Sequence, residues 1–334
     1  MVHNQDKDTL VAGLLGVPPA EIDLESIERQ PLPGAHQRTR AFIKVQDGCD
    51  NRCTYCITCL ARGPSRSRPI PVVRQDVRAA LDGGSREIVL TGVHLGAWGA
   101  DLQPSAQLSD LIQAVLMEPD LPRLRLSSLE PWDLQPEFFK LWQDDRLCRH
   151  LHLPLQSGSP GTLMRMGRKT TPSAYAELVM AARLAIPGVA ITTDVIAGFP
   201  GENETEFTES LEFIRSMQFA GGHVFTYSAR PGTAAARMPG QVPHPLRKSR
   251  NLQLRELFMQ VAQTYQVQQL GQRLSVLWES AQVGAGRNWN LSGLTDNYCR
   301  VTSQANTNLW NQISLVTLNA HSEAGLQGII CESR

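Results

Sequence analysis

RTRAFIKVQDGCDNRCTYC, residues 38–56, joins a short apolar run, AFIKV (41–45), to a loop that carries Cys49, Cys53 and Cys56. The run reads as a first strand. Outward from it, EIVL (87–90), RLRLSSL (123–129), HLHLPL (150–155), AITTDVIAGF (190–199) and HVFTY (223–227) read as further strands. Between them VVRQDVRAAL (72–81), LSDLIQAVL (108–116), PEFFKLW (136–142), SAYAELVMAARLA (173–185) and EFTESLEFIRSM (206–217) carry helical patterns. Six β/α repeats predict a parallel sheet with crossover helices. They are too few for the eight-stranded closed barrel, so the fold expected is α/β with a partial (β/α)6 TIM-like barrel. The loops GCDNRCTYC, TGVHLGAWG, SSLEP, QSGSPG and GFPGE each follow a strand. Loops at the carboxyl ends of parallel strands build active sites, so one functional mouth is expected.

Flanking this core, residues 1–37 are polar and read as a leader or linker remnant, with a short helix possible around Lys7–Leu15. The core spans 38–245. A polar, helix-favouring connector follows at 246–270, and at 271–334 the pattern switches to short alternating strands, a small all-β barrel.

Seven cysteines, four of them within eleven residues (Cys49, Cys53, Cys56, Cys59), argue for a metal site rather than a disulfide framework. Thiolates select iron–sulfur clusters, zinc or copper(I). Three thiolates on a four-iron cubane leave one iron open to a chelating ligand, and S-adenosylmethionine (SAM), through its amino and carboxylate groups, suits that position. Cys59 keeps two other readings open, a ferredoxin-like run Cys53-x2-Cys56-x2-Cys59 and a four-thiolate zinc site. Cys59 itself reads as a small half-buried side chain, and Cys148, Cys299 and Cys331 as core residues.

The Cx3CxΦC pattern after the first strand, with Tyr55 as the aromatic, resembles the radical SAM superfamily. The wording RTRAFIKVQDGCDNRCTYC, ARGPSRSRP, EIVLTGVHLGAWG, HLPLQSGS, MGRKTT, DVIAGFPGE and FTYSARPGTAA, over residues 38 to about 240, is similar to its tRNA methylthiotransferases. Among these it looks most like the enzymes acting on threonylcarbamoyladenosine. The resemblance implies one 4Fe–4S cluster on Cys49, Cys53 and Cys56, and SAM near Tyr55, Gln156, Ser157, Asp194 and Gly198. It implies methylthiolation at C2 of the modified adenosine 3′ to the anticodon, with the tRNA anticodon loop and a low-potential electron donor as partners. That family normally begins with a domain whose cysteines hold a second, sulfur-delivering cluster, and no cysteine precedes Cys49. Three expectations follow from this: a truncated product, a separately encoded N-terminal cluster domain, or a non-catalytic iron–sulfur or RNA-binding remnant. GLTDNYCRV (293–301) and GLQG (325–328) resemble a TRAM domain, an RNA-binding barrel, in which Trp278, Trp289, Tyr298 and Trp310 are candidates for stacking on bases.

The formal net charge is zero, so any nucleic-acid surface must be local. Residues 36–80 hold nine Arg or Lys against three acids, a candidate phosphate-contacting patch around the mouth. His94 and Trp98 read equally as packing or binding residues, and His150, His152 and His223 as structural ones. A polar start and no run of about 18 apolar residues predict a cytoplasmic protein with no membrane partner.

Overall fold

The computed structural model describes residues 39–284, 288–322 and 325–333; the leader and its possible helix lie outside them. Six parallel strands form the core: β1 (Arg40–Asp47), β3 (Glu87–Gly92), β4 (Leu124–Leu126), β5 (His150–His152), β6 (Ala190–Ala197) and β7 (Gly221–Thr226). β2 (Arg66–Ser67) adds a short antiparallel edge to β1. Parallel pairing runs β1–β3–β4 and β5–β6–β7, and a parallel bridge pairs Leu124 of β4 with Leu147, three residues ahead of β5. No pairing closes β7 onto β1 among the described residues, so the barrel is partial, as the repeat count requires.

Helices α1 (Thr58–Arg62), α2 (Ile70–Asp82), α3 (Leu108–Leu116), α4 (Pro160–Met166), α5 (Pro172–Ala185) and α6 (Glu204–Met217) fall in the connections, and α7 (His244–Val267) follows β7. The segment Pro136–Gln143, expected as an α-helix, is a 3₁₀ helix, with Phe138, Phe139 and Trp142 packed ring to ring. β6 shows how the two faces divide. Ile191, Thr193, Val195 and Ala197 are buried against the helices, while the alternate residues Thr192, Asp194 and Ile196 stand on the lumen side.

Strands β8 (Arg273–Val283), β9 (Trp289–Thr295), β10 (Arg300–Ala305), β11 (Ile313–Ser322) and β12 (Gly325–Ser333) close into a five-stranded barrel around Trp278, Val301, Val316 and Leu326. It docks on the amino ends of the core strands. There Arg40 pairs with Glu279 at 2.7 Å and Arg149 with Asp296 at 2.6 Å, while Arg123 and Arg125 donate to backbone carbonyls of residues 275 and 294–296. Glu87, fully buried, holds Arg125 through bonds of 2.7 and 3.1 Å. Tyr298, at positive φ in the β9–β10 turn, stacks on His150 at 4.5 Å beneath the Arg125 guanidinium and so floors the open barrel. Cys148 and Cys299 are buried as expected, but Cys331 is exposed on β12, its thiol 3.0 Å from the Thr317 hydroxyl. The two-residue alternation of a barrel strand points it to the outer face.

Candidate cluster and SAM site

The cysteine loop starts at a left-handed glycine. Gly48 has φ +74°, and a β-carbon there would sit 1.9 Å from the Pro64 carbonyl oxygen, so the chain turns against the 63–64 segment only because no side chain intervenes. The Cys49 N–H then donates to Gly63 O, and the Cys56 N–H to Cys53 O, fixing the loop over the carboxyl end of β1. None of the four clustered cysteines is in a disulfide, and all are half-buried.

Donors surround the sulfurs. Asn51 N–H donates to Cys49 Sγ at 3.4 Å and Thr58 N–H to Cys56 Sγ at 3.5 Å. The His94 imidazole lies within hydrogen-bonding reach of Cys49. Burial alone would raise the Cys49 thiol, but His94 and the Asn51 N–H hold it below the ordinary range. Gln46 accepts the His94 backbone N–H at 2.8 Å and Asp133 accepts from the ring Nε2 at 2.6 Å, which orients the imidazole. Burial opposes charge on that imidazole, yet Asp133 and Cys49 bring its pKa to about 10. Beside Cys53 stands Arg168, paired with Glu130 at 2.8 Å and lying 4.4 Å over the Trp132 ring. Burial pushes the Cys53 thiol up despite that guanidinium.

Cys59 differs from the other three. Its thiol donates to the Asn51 carbonyl at 2.7 Å, and burial together with the neighbouring cysteines pushes it up. Among the described residues no three Cys, His, Asp or Glu side chains converge on a point that would hold a single ion. A zinc site needs four donors about 2.0–2.3 Å from one ion, whereas a cubane spreads its thiolates over separate irons. The donor set and the N–H···S contacts therefore fit a cluster better than zinc.

The structure places the residues expected to line SAM as follows. Tyr55 packs edge-on to Phe199 at 6.4 Å, with Met166, Tyr227 and Ala235 behind it. Gln156 has φ +74°, and its backbone bonds both Asp194 O and Ile196 N, a left-handed kink at the end of β5. Asp194 projects into the lumen, accepting from His152 at 3.3 Å and His223 at 3.2 Å; burial works against its charge, but the two imidazoles hold its carboxyl below the usual range. Ser157 faces the other way: its hydroxyl, buried, meets Ser210 of α6 at 2.9 Å and accepts the Ser159 N–H. At Gly198 a β-carbon would lie 2.2 Å from Arg247 Cγ, so the close approach there is made by α7. Glu202 accepts the Gly198 N–H and pairs with buried Arg250 at 2.9 Å.

His94, read from the sequence equally as a packing or a binding residue, sits at the cysteine loop, whereas three groups were not singled out as site residues: its partner Asp133, the Arg168–Glu130–Trp132 stack, and His152 with His223. Two weak signals for them existed, because Glu130 lies in the post-strand loop SSLEP and Arg168 in the motif MGRKTT. Trp98 proves to be a packing residue, buried with its indole N–H on Arg68 O. The basic patch of residues 36–80 is largely neutralised. Arg40, Lys44, Arg62, Arg68, Arg74 and Arg78 all form ion pairs, several with Glu118 and Glu279 from outside that window. Trp278 is core, and the Tyr298 ring already stacks within the chain.

An open parallel barrel with three free cysteines on the loop after its first strand defines a class of cluster-bearing barrel proteins. A family model described as the Radical SAM superfamily matches residues 43–214, and the chain belongs to that superfamily. Its cofactors are a 4Fe–4S cluster and SAM. The chain is 38% identical over 292 residues, 87% of its length, to the threonylcarbamoyladenosine tRNA methylthiotransferase MtaB of Bacillus subtilis. It is 42% identical over 72% of its length to the Thermotoga maritima protein of that name. To the tRNA-2-methylthio-N(6)-dimethylallyladenosine synthase of Moorella thermoacetica it is 37% identical over 77%. It spans 65, 56 and 57% of those three proteins. Among solved structures, coproporphyrinogen III oxidase from Escherichia coli aligns with TM-score 0.50 at 14% identity, covering 80% of this chain and 68% of that one, a likeness of fold. Among the described residues no helix is long and apolar enough to cross a membrane.

Two observations test the fit of the cofactors. Cys49 and Cys56 carry N–H donors of the kind that support cluster thiolates, and among the described residues Arg168 Nε, beside Cys53, and Nε1 of Trp132, whose ring lies under that guanidinium, are buried without a partner. Such orphaned donors suit a polar ligand next to the cluster.

Proposed function

We propose that the chain cleaves SAM reductively at a cluster held by Cys49, Cys53 and Cys56, and serves methylthiolation at C2 of threonylcarbamoyl-modified adenosine 3′ to the tRNA anticodon. What carries this reading is the three-cysteine loop with its N–H donors at the barrel mouth, together with 38–42% identity to proteins named for that modification. The bound cluster would supply the electron that splits the SAM sulfonium into methionine and a hydrogen-abstracting 5′-deoxyadenosyl group. The chain's own residues do the rest. Tyr55 on Phe199 walls the adenine side, and Arg168 and Trp132 offer donors to the methionine end. Gln156 and Asp194 present polar groups to the lumen, Ser157 and Gly198 shape the loops that carry them, and Tyr298 stacks on buried His150 at the far end. A low-potential donor supplies the electron, and sulfur comes from a second source.

Anaerobically reconstituted protein, given dithionite and SAM, is expected to release 5′-deoxyadenosine and methionine. Nucleosides from digested tRNA, with a sulfur donor present, should show the methylthio derivative by mass spectrometry. No deoxyadenosine would refute the centre; deoxyadenosine with a different modification would refute the assigned reaction.

A further inference from the structure

Residues 213–255 contain no Asp or Glu, yet hold Arg215, Arg230, Arg237, Arg247, Lys248, Arg250 and Arg255. The structure lays the first part of this stretch along the mouth. Ala235 N–H donates to Thr54 O at 2.8 Å, in the cysteine loop, and Gly201 N–H donates to Gly240 O at 2.8 Å, so residues 228–243 bridge the cysteine loop and the 198–202 loop. From that rim α7 descends, roughly 36 Å long at 1.5 Å per residue. It ends at the small barrel, where Asn297 donates to Tyr265 OH and to Gln269. Arg250 and Arg247 are used internally, on Glu202 and on the Tyr227 carbonyl. Arg230, Arg237, Lys248 and Arg255 are exposed and form no ion pair with a described acid.

On the helix Lys248 and Arg255 are seven residues apart and so lie within about 20° of each other round the axis, at the edge of the exposed arc next to buried Phe258. Exposed Gln253 and Gln263 add uncharged donors along α7, and its single acid, Glu256, is exposed on the same arc, about 80° round the axis from Lys248 and about 100° from Arg255. Acids beside the rim are engaged: Asp47 holds Arg62 and Lys44, Asp50 accepts the Ser65 N–H, and Glu202 and Glu204 hold Arg250. We infer that the 228–243 rim and the outer face of α7 form the phosphate-contacting surface for RNA. This rests on the tRNA function proposed for the chain, and it moves the surface from residues 36–80, where six of nine cations are paired, to a stretch whose exposed cations are not. An unpaired cation that meets a phosphate displaces a condensed counterion on binding; one already paired to a carboxylate displaces none without first losing its partner.

The test is fluorescence anisotropy of labelled tRNA against the full chain over a salt series. The variant Arg230→Gln/Arg237→Gln/Lys248→Gln/Arg255→Gln changes only exposed side chains. Each cation withdrawn from a phosphate lowers the log–log salt slope by about 0.7–0.9, so the slope should fall by about 3 and affinity by about tenfold or more at moderate salt. Arg74→Gln/Arg78→Gln, at the ion-paired site on Glu118, should leave the slope unchanged. A quadruple variant with wild-type slope and affinity overturns the surface while leaving tRNA as substrate. A wild-type chain that fails to bind tRNA even at low salt overturns both.

Discussion

Replacing Glu87 by Gln tests whether the joint between the two barrels is held by one buried charge. Glu87 is fully buried between the amino end of β3 and the small barrel, bonds Arg125 twice and lies 3.7 Å from Arg123. Both guanidiniums also donate to carbonyls of residues 275 and 294–296, so the carboxylate neutralises the groups that grip the second unit. At about 4 Å and an effective dielectric of about 20, one such attraction is worth about 4 kcal/mol. Removing one member of a buried pair typically costs about 3–5 kcal/mol. Urea unfolding of the reduced, cluster-free variant should therefore show a loss of about that size, with Arg125→Met/Glu87→Gln recovering part of it. Burial opposes charge on Glu87, but Arg125 and Arg123 hold its folded pKa below 4.5, so its stabilisation is complete above that value and is lost as pH falls below it. His150, kept neutral by burial, has a folded pKa well under 6.5, and stability on its account declines as pH falls below 6.5. Wild type should weaken in both windows and Glu87→Gln in the upper one alone. A loss under about 1 kcal/mol, or an unchanged acid limb, would refute this account of the joint.

Cys49→Ala, Cys53→Ala and Cys56→Ala should each abolish a reconstituted centre of about four irons, and Cys59→Ala should retain it, since that thiol is bonded to the Asn51 carbonyl; equal iron loss with Cys59→Ala would restore the ferredoxin-like or zinc reading. Gly48→Ala forces a β-carbon onto the Pro64 carbonyl and adds about 1–2 kcal/mol of left-handed strain, so iron content should drop while far-UV circular dichroism persists; full loading at wild-type stability would contradict the loop's geometry. Asp194→Asn should weaken SAM binding, measured by equilibrium dialysis, at unchanged iron content, whereas unchanged affinity would leave Asp194 as a holder of His152 and His223.

Much of the architecture was legible because parallel strands buried on one face and punctuated by loops leave a repeating pattern, and all six strands lie where the apolar runs are. The cysteine loop was legible for a related reason: its ligands are neighbours in sequence. What stayed hidden depends on partners far apart in the chain. His94 meets Asp133 across 39 residues, and Arg168 meets Glu130 across 38. The basic patch looked free because Glu118 and Glu279, which neutralise part of it, lie outside residues 36–80. Ser157 was found by its motif, but the left-handed kink at Gln156 turns the chain so that the hydroxyl meets α6. That direction is set by a dihedral angle and not by composition.

The floor of the barrel bears on how the second unit's role can be separated from that of the first. Thr192 lies 2.9 Å from both His150 Nε2 and His152 Nδ1, His152 reaches Asp194, and His150 stacks on Tyr298. A continuous set of polar contacts thus runs from the small barrel's turn to the carboxylate in the lumen. Cutting away residues 271–334 would leave Glu87, Arg123, Arg125 and His150 facing water at an open end, and would remove the carbonyls that hold the two guanidiniums. Weaker RNA binding after such a cut would therefore report a damaged barrel as readily as an RNA-binding role for the small barrel. Substitutions on the exposed rim leave that floor untouched, because among the described residues the ion pairs and hydrogen bonds of the joint involve none of Arg230, Arg237, Lys248 or Arg255. The contribution of the surface can be read from them, and that of the floor from Glu87, each without disturbing the other.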